Sequence, residues 1–302
     1  MAETPYHIPA LLPETLNLLN IKPNGTYIDA TFGGGGHSRA IISLLGHEGH
    51  LFSFDRDKEA AANAIDDPRF TFVLSNFRFI ENFMRFHKVE AVDGIMADLG
   101  VSFHHFDSPE RGFSFRADAP LDMRMNRDAS LTAADIIAAA DEHTLKDIFR
   151  KYADLRQPGN VAKAIVKGRE DAPIDTTFRL VDAVKNAIDP RQEKKELAQI
   201  FQALRIRTND EMADLRLFLN AARKILRPGG RLAVLTYHSV EDRIVKNFMK
   251  TGNVEGVEEK DFFGNINSPW KVITRKPVEP SQEEIERNPR SRSAKLRVAQ
   301  LN

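Results

Sequence analysis

Three aspartates and a run of glycines carry the chemistry that is most visible in this chain of 302 residues. The segment Thr26-Tyr27-Ile28-Asp29-Ala30-Thr31-Phe32 reads as a short apolar strand that ends in an acid, turns on Gly33-Gly34-Gly35-Gly36 and enters a helix at His37-Ser38. Glycine lets the backbone take positive φ and lets a ligand come close, while the free N–H groups of the next helix face whatever sits over the turn. That chemistry suits a nucleotide-like ligand. Asp55 and Asp98 close two further apolar runs, Leu51-Phe52-Ser53-Phe54 and Gly94-Ile95-Met96-Ala97. An acid about twenty residues beyond a glycine turn, at the end of the second strand, is placed to accept from a ribose hydroxyl pair.

These residues need elements to hold them. A short helix around Leu16, Leu18 and Leu19 precedes the first strand, and Ile41, Ile42, Leu44 and Leu45 give the helix after the glycines an apolar face, closed by Gly46 and Gly49. Lys58 to Ile65 reads as the next helix, Phe70 to Leu74 as a third strand, and Phe77, Ile80, Phe83 and Phe86 as another helix before the strand that ends at Asp98. Strand and helix alternate with short connections, which predicts a parallel sheet covered by helices, with the ligand beyond the carboxyl ends of the strands. From Ser102 to about Ile206 the alternation stops, and Leu131 to Val184 reads as several helices with basic residues between them. Asn209 to Leu226 then reads as one long helix, Arg231 to Tyr237 as a fifth strand and Val240 to Met249 as the helix after it. Two final strands, Trp270 to Thr274 and Lys295 to Leu301, suit an antiparallel edge, and the linker between them, rich in Pro, Glu and Arg, reads as mobile. The expected division is therefore residues 1–103, an inserted helical domain over 104–206, and residues 207–302.

Composition narrows the function. With 42% hydrophobic residues the chain can bury a full core, and the absence of cysteine removes disulfides, thiolate metal sites and a cysteine nucleophile, as suits a reducing cytoplasm. Neither a basic leader followed by an apolar run nor a segment of membrane-spanning length is expected. The formal net charge is zero, so contact with nucleic acid must come from local basic patches. The candidates are Lys163 and Lys167, Arg205 and Arg207, and Arg290, Arg292, Lys295 and Arg297. A glycine turn followed by an acid serves dinucleotides and S-adenosylmethionine alike, but Asp29 before the glycines suits the amino group of a methionine tail and opposes a pyrophosphate, and the two terminal strands tilt the same way. The fold expected is α/β, a class I S-adenosylmethionine-dependent methyltransferase sheet, Rossmann-like and mostly parallel, with an inserted all-helical domain.

Longer blocks make the reading more specific. Asp29 to Ser38, Asp98-Leu99-Gly100-Val101-Ser102, Glu110 to Phe115, Leu121-Asp122-Met123-Arg124-Met125, Phe201 to Ile206, His238 to Lys246 and Asn288 to Ser293 together resemble the bacterial MraW/RsmH family, in order and from about His7 to the end. The resemblance implies a 16S rRNA methyltransferase that moves a methyl group from S-adenosylmethionine to the exocyclic N4 amine of a cytidine in the decoding region, and a helical domain that recognises the substrate. It further implies cofactor contacts from Gly35, Gly36 and His37 through the turn, from Asp55 to the ribose, from Phe77 to the adenine and from Asp98 at the end of the pocket. His105 stands where the family commonly has Gln and is taken as a further cofactor contact; Phe103 stands where a second Ser is usual, and Tyr237 where Phe is usual.

The sulfonium is already a strong electrophile, so the protein must chiefly align the amine and exclude water. The amine lone pair is delocalised into the cytosine ring, and an acceptor must take its hydrogen bonds. Asp98 is the candidate acceptor, with backbone carbonyls near Gly100 beside it; binding only the cofactor's methionine end is its other reading. His238 is a candidate proton relay, with capping of the following helix as its structural alternative. Asp122 and Arg124 read as a buried ion pair bracing the insertion. No metal is expected. The expected partner is 16S rRNA, free or within the small subunit, with the chain as monomer or homodimer. The alternatives are an amino-methyltransferase acting on DNA or tRNA, a NAD-dependent dehydrogenase, and an RNA-binding protein without turnover.

Overall fold

A computed structural model describes residues 9–100, 108–264 and 266–302. Its seven-stranded sheet runs in the order β3 (Phe70–Leu74), β2 (His50–Asp55), β1 (Thr26–Asp29), β4 (Val92–Asp98), β5 (Leu226–Thr236), β7 (Lys295–Leu301) and β6 (Trp270–Val272). The first five of these are mutually parallel, and β7 runs antiparallel to both β5 and β6. Parallel strands covered on both faces are buried along their length rather than at alternate residues. In β4, accordingly, every residue from Val92 to Ala97 is buried, and Asp98 is the first to emerge.

The described residues separate into two units, one formed by the chain up to Gly100 and from Ala213 onward, the other by Val101–Met212. In the sheet unit α1 (Leu12–Leu19), α2 (Gly36–Leu44) and α3 (Ile80–Phe86) alternate with the strands. The helical unit contains α4 (Ala133–Ala139), α5 (Glu142–Tyr152), α6 (Pro158–Asp171), α7 (Thr177–Val184) and α8 (Glu193–Asn209). After it come α9 (Glu211–Ile225), α10 (Ser239–Thr251) and α11 (Gln282–Arg287). The segment Lys58–Asn63 is a 3-10 turn rather than the expected α-helix, capped by the Asp57 carboxylate accepting from the Glu59 N–H. The long helix expected over Asn209 to Leu226 is α9, which begins at Glu211 because Asp210, at a left-handed φ of 51°, ends α8 just before it. Leu226 already belongs to β5, whose pairing with β4 shifts register across Pro228-Gly229-Gly230 and resumes at Arg231. The linker before β7 is not the mobile connection expected. It holds α11, where buried Glu284 accepts the Leu11 N–H at 2.8 Å, because Leu11 sits at the left-handed start of α1 with its amide otherwise unbonded.

Inside the helical unit, capping explains where the helices begin. Thr132 and Asp135 form a reciprocal box at α4, and Asp141 and Thr176 cap α5 and α7. Leu145, Phe149, Ile165, Leu180, Ile200 and Leu204 make its centre, all fully buried. Two of the sequence blocks fold onto each other here. Met123 N–H donates to Arg111 carbonyl oxygen at 3.0 Å, and the Arg111 guanidinium donates to the carbonyls of Arg124 and Met125. Met123 is held at a left-handed φ of 58°, with the Asn209 amide donating to its carbonyl at 2.8 Å and accepting from Met125 N–H at 2.7 Å. Gly112, at φ 71°, leaves no room for a side chain, since a Cβ would lie 2.2 Å from the Pro120 carbonyl oxygen.

Asp122 and Arg124 form a two-pronged ion pair, with the guanidinium Nε and Nη2 each 2.7 Å from a carboxylate oxygen. Burial pushes the Asp122 carboxyl up, but the Arg124 hydrogen bonds and charge outweigh it and hold the group below its ordinary value. Its stabilisation is therefore complete above the unfolded value near about 3.9 and is lost as pH falls through the lower folded value. Arg124→Met is expected to lower the unfolding free energy by about 1–3 kcal/mol near neutral pH and by less near pH 3, as read from denaturant melts at the two pH values.

Candidate active site

The carboxyl ends of β1, β2 and β4 lie side by side, because β1 pairs with β2 through Asp29 and Ser53 and with β4 through Asp29 and Met96. The chain leaving β1 continues to alternate between its neighbours: Ala30 N–H donates to Met96 carbonyl oxygen at 2.9 Å and Phe32 N–H to Phe54 carbonyl oxygen at 2.8 Å. Phe32 then packs against Phe70 and Phe72, which fixes where the glycines begin. Gly33 (φ 51°) and Gly35 (φ 76°) take left-handed conformations. Around Gly33 none of the described residues lies within 4 Å of where a Cβ would stand. Gly35 is the N-cap of α2, and the first bond of that helix, Arg39 N–H to Gly35 carbonyl oxygen, leaves the N–H groups of Gly36, His37 and Ser38 ahead of the helical ladder.

The Asp29 side chain is turned into the fold. It is 1% exposed, with one carboxylate oxygen accepting from the Ser38 hydroxyl at 2.6 Å and the other from Thr31 N–H at 3.1 Å, while Ser38 also bonds Ser53 at 2.8 Å. Burial pushes its carboxyl up, against the hydrogen bond from Ser38. Its side chain is consumed in bracing the turn, which corrects the expectation that it meets a methionine amine. The His37 imidazole is also turned inward, with Nε2 at 3.2 Å from the Ala10 carbonyl oxygen, so only its backbone belongs to the turn. Gly36 is a close-packing position, where a Cβ would stand 2.9 Å from Pro9 Cγ.

Asp55 stands at the end of β2, with one carboxylate oxygen accepting from Gly33 N–H and the other from Asp57 N–H, each at 2.8 Å. Burial pushes this carboxyl up, and the two N–H groups pull against it. A carboxylate oxygen can accept more than one bond, so both keep capacity for a diol. Phe77, partly exposed after β3, meets Phe218 edge-on with ring centres 5.2 Å apart. Behind it lies a group that the sequence did not disclose: Asp214, on α9 and 2% exposed, accepts from the Asn76 amide at 2.5 Å and pairs with Arg78 at 3.0 Å and Arg56 at 3.5 Å. It ties the residues following Asp55 to those flanking Phe77. The only signal for it in the sequence is an acid among the apolar positions of a helix.

Asp98 is partly buried at the end of β4. Its N–H donates to Thr31 Oγ1 at 2.6 Å, and its Oδ1 accepts from Gly100 N–H at 3.0 Å. Burial, then the charge of nearby Asp98, push the Tyr237 phenol well above its ordinary value. His238 caps α10, its Nδ1 accepting from Glu241 N–H at 3.4 Å, with Nε2 2.9 Å from the Glu241 carboxylate but out of line for a hydrogen bond. Glu241 also accepts from Tyr237 N–H at 3.0 Å. His105, like Phe103, lies outside the described residues. Of the basic candidates, Lys163, Lys167, Arg207, Arg290 and Arg292 are exposed. Arg205 is committed to a two-pronged pair with Glu211 at 2.9 Å, and Arg297 to one with Asp242, so these two are removed as phosphate contacts.

A parallel sheet with a reversed seventh strand between β5 and β6, a glycine turn after β1 and acids closing β1, β2 and β4 define a class I S-adenosylmethionine-dependent methyltransferase. The chain belongs to the MraW methylase family, whose model matches residues 4–302. It is 55% identical over 298 residues to Ribosomal RNA small subunit methyltransferase H of Bacteroides fragilis, covering 99% of this chain and 98% of the relative. The proteins of the same description from Porphyromonas gingivalis and Flavobacterium johnsoniae are 52% and 50% identical, over 99% and 98% of this chain and 97% of each relative. Among solved structures, an rRNA methylase of Streptococcus thermophilus superposes with a TM-score of 0.39 at 12% identity, covering 100% of this chain and 98% of the other. The dehydrogenase alternative falls with the family assignment.

Gly35→Ala places a Cβ 2.9 Å from Phe32 Cζ at a left-handed residue. The expected loss is about 1–2 kcal/mol of unfolding free energy, together with at least tenfold weaker S-adenosylmethionine binding, measured by denaturant melts and titration calorimetry.

Proposed function

We propose that the chain methylates the exocyclic N4 amine of a cytidine in the decoding region of 16S rRNA, in the cytoplasm, and that Asp98 accepts the hydrogen bonds of that amine. The enzyme is an S-adenosylmethionine-dependent rRNA methyltransferase, and the target atom is the finer reading. The observation that carries it is a partly exposed carboxylate at the end of β4, with one oxygen accepting from the Gly100 N–H and its backbone tied to Thr31 ahead of the glycine turn. An aromatic amine is a weak nucleophile with N–H groups to give, and a carboxylate is the side chain that takes them. Bound S-adenosylmethionine supplies the methyl group and its leaving thioether.

This chain's residues fit that cofactor. The turn at Gly33, which no other described residue crowds, receives it, the N–H groups opening α2 face it, Asp55 takes the ribose diol and Phe77 covers the adenine. Asp98 then serves the substrate rather than the methionine end. His238 acts as the cap of α10, since Nδ1 is taken by that helix and Nε2 lies against Glu241. In the helical unit, exposed Lys163 and Lys167 on α6 and Arg207 on α8 meet the RNA backbone, which must be gripped so that one base can be splayed out. No helix among the described residues is long and apolar enough to cross a membrane.

Asp98→Asn is expected to bind S-adenosylmethionine as the natural chain does, within about twofold, and to methylate at least a hundredfold more slowly; loss of cofactor binding instead would assign Asp98 to the methionine end. Mass mapping of rRNA from cells with and without the protein should show one decoding-region cytidine losing a single N4 methyl group, whereas a loss on tRNA or DNA would redirect the substrate. Lys163→Ala combined with Lys167→Ala should weaken RNA binding uniformly and lower the slope of log affinity against log salt by about one per lost phosphate contact.

A further inference from the structure

We infer that Asp214, on α9, is a positioning residue for the adenosine half of the cofactor: it fixes the Asp55 carboxylate and the Phe77 ring at the spacing that the ribose diol and the adenine require. This role rests on the reading of Asp55 and Phe77 as cofactor contacts. Asp214 itself is 2% exposed, so it acts through the two loops that it joins.

The chain leaves β2 and β3 side by side. The two strands pair as far as Asp55 and Leu74, and Ser75 N–H donates to Asp55 carbonyl oxygen at 2.8 Å. From the first loop comes Arg56, whose Nη1 lies 3.5 Å from Asp214 Oδ2. From the second come the Asn76 amide, donating to the same oxygen at 2.5 Å, and Arg78 Nη1, donating to Oδ1 at 3.0 Å. Both ends of the Asn76 side chain are used, because its Oδ1 caps the turn Phe77–Phe79 by accepting from Arg78 N–H at 3.0 Å. Holding that amide therefore holds the turn that carries Phe77. One helical turn beyond Asp214, on the same face of α9, Phe218 is fully buried and meets the Phe77 ring edge-on at 5.2 Å.

Each loop alone has several arrangements open to it, and a charged acceptor shared between them selects the one in which both reach the same buried point. Hydrogen bonds to an ionised partner are the stronger kind, and a carboxylate excluded from water has only these donors to satisfy it. The Asp55 carboxylate accepts from Asp57 N–H at 2.8 Å, so with Arg56 between them directed to Asp214 the three residues have little latitude. Asp214 and Phe218 thus set the two walls from one helix. The effect belongs to binding rather than to methyl transfer. Adenosine is the same group in the bound cofactor and in the transition state, so contacts to it stabilise both equally and appear in affinity and KM, with kcat spared.

Titration calorimetry on the natural chain, Asp214→Asn, Phe218→Leu and Asp55→Ala tests this with two ligands, S-adenosylhomocysteine and 5′-methylthioadenosine, which lacks the amino-acid tail. Melting temperatures and steady-state methylation of small-subunit rRNA are measured alongside. Asp214→Asn should weaken both ligands by the same factor, about tenfold, the equivalent of about 1.4 kcal/mol. It should raise the KM for S-adenosylmethionine by as much while kcat falls by less than about twofold. Phe218→Leu should weaken 5′-methylthioadenosine about threefold, and it carries the test if Asp214→Asn fails to fold. Unchanged affinity for both ligands in Asp214→Asn, or in Phe218→Leu where that variant carries the test, beside a weakened Asp55→Ala, would overturn the inference alone. Unchanged affinity in Asp55→Ala as well would overturn the reading of the pocket beneath it. A loss in Asp214→Asn confined to S-adenosylhomocysteine would place the effect at the methionine end, and a fall in kcat as large as the rise in KM would place it in the fold at large; either result overturns the positioning role.

Discussion

A carboxylate with almost no exposure to water, Asp29, is the constraint on which the site depends. Burying a charge is costly unless hydrogen bonds replace the water, and here they come from the Ser38 hydroxyl and the Thr31 N–H. Those two donors lie on either side of the glycines, so satisfying the acid also closes the turn. Ser38 is in turn bonded to Ser53 on β2, which secures the first turn of α2 to the neighbouring strand. The turn is therefore held from beneath, and at Gly33 no other described residue crowds it.

The same economy recurs at each strand end. Asp55 takes the N–H groups of Gly33 and Asp57, Asp98 takes that of Gly100, and Thr31 takes the N–H of Asp98. Each acid is oriented by donors from the backbone that follows it or from the adjoining strand, with acceptor capacity remaining. Asp214 performs the corresponding task for the residues around Asp55 and Phe77, with two guanidinium groups and an amide converging on one buried carboxylate. Pockets built in this way are set by the sheet, since parallel pairing delivers all the strand ends to one rim.

The helical unit solves a different problem. Its segment from Glu110 to Met125 has little regular structure, and its backbone polar groups are satisfied by particular side chains: the Arg111 guanidinium on two carbonyls, Asn209 on Met123 and Met125, and Arg124 on Asp122 and the loop after it. The strained φ at Met123 is maintained by these contacts, and the sequence blocks Glu110 to Phe115 and Leu121 to Met125 are thereby accounted for as one interlocked structure.

The sequence by itself determined the parallel sheet, the glycine turn, the three acids that close strands and the reversed terminal edge, because these follow from local periodicity and from the conformations open to glycine. It also led to the expectation of an inserted helical domain over 104–206, and the family blocks pointed to an rRNA substrate. Only the tertiary structure decided which polar groups are free. Asp29 and Asp55 look alike as residues ending strands, yet one is spent inside the fold and the other keeps capacity for a ligand. Arg205 and Arg297 look like phosphate contacts until Glu211 and Asp242 are found beside them, and the linker before β7 looks loose until Glu284 is found on the Leu11 amide. Tyr237 and Asp98 are 139 positions apart and come near each other only because β4 and β5 are neighbours in register. Burial and pairing of this kind depend on contacts between residues far apart in the chain, and no local pattern encodes them.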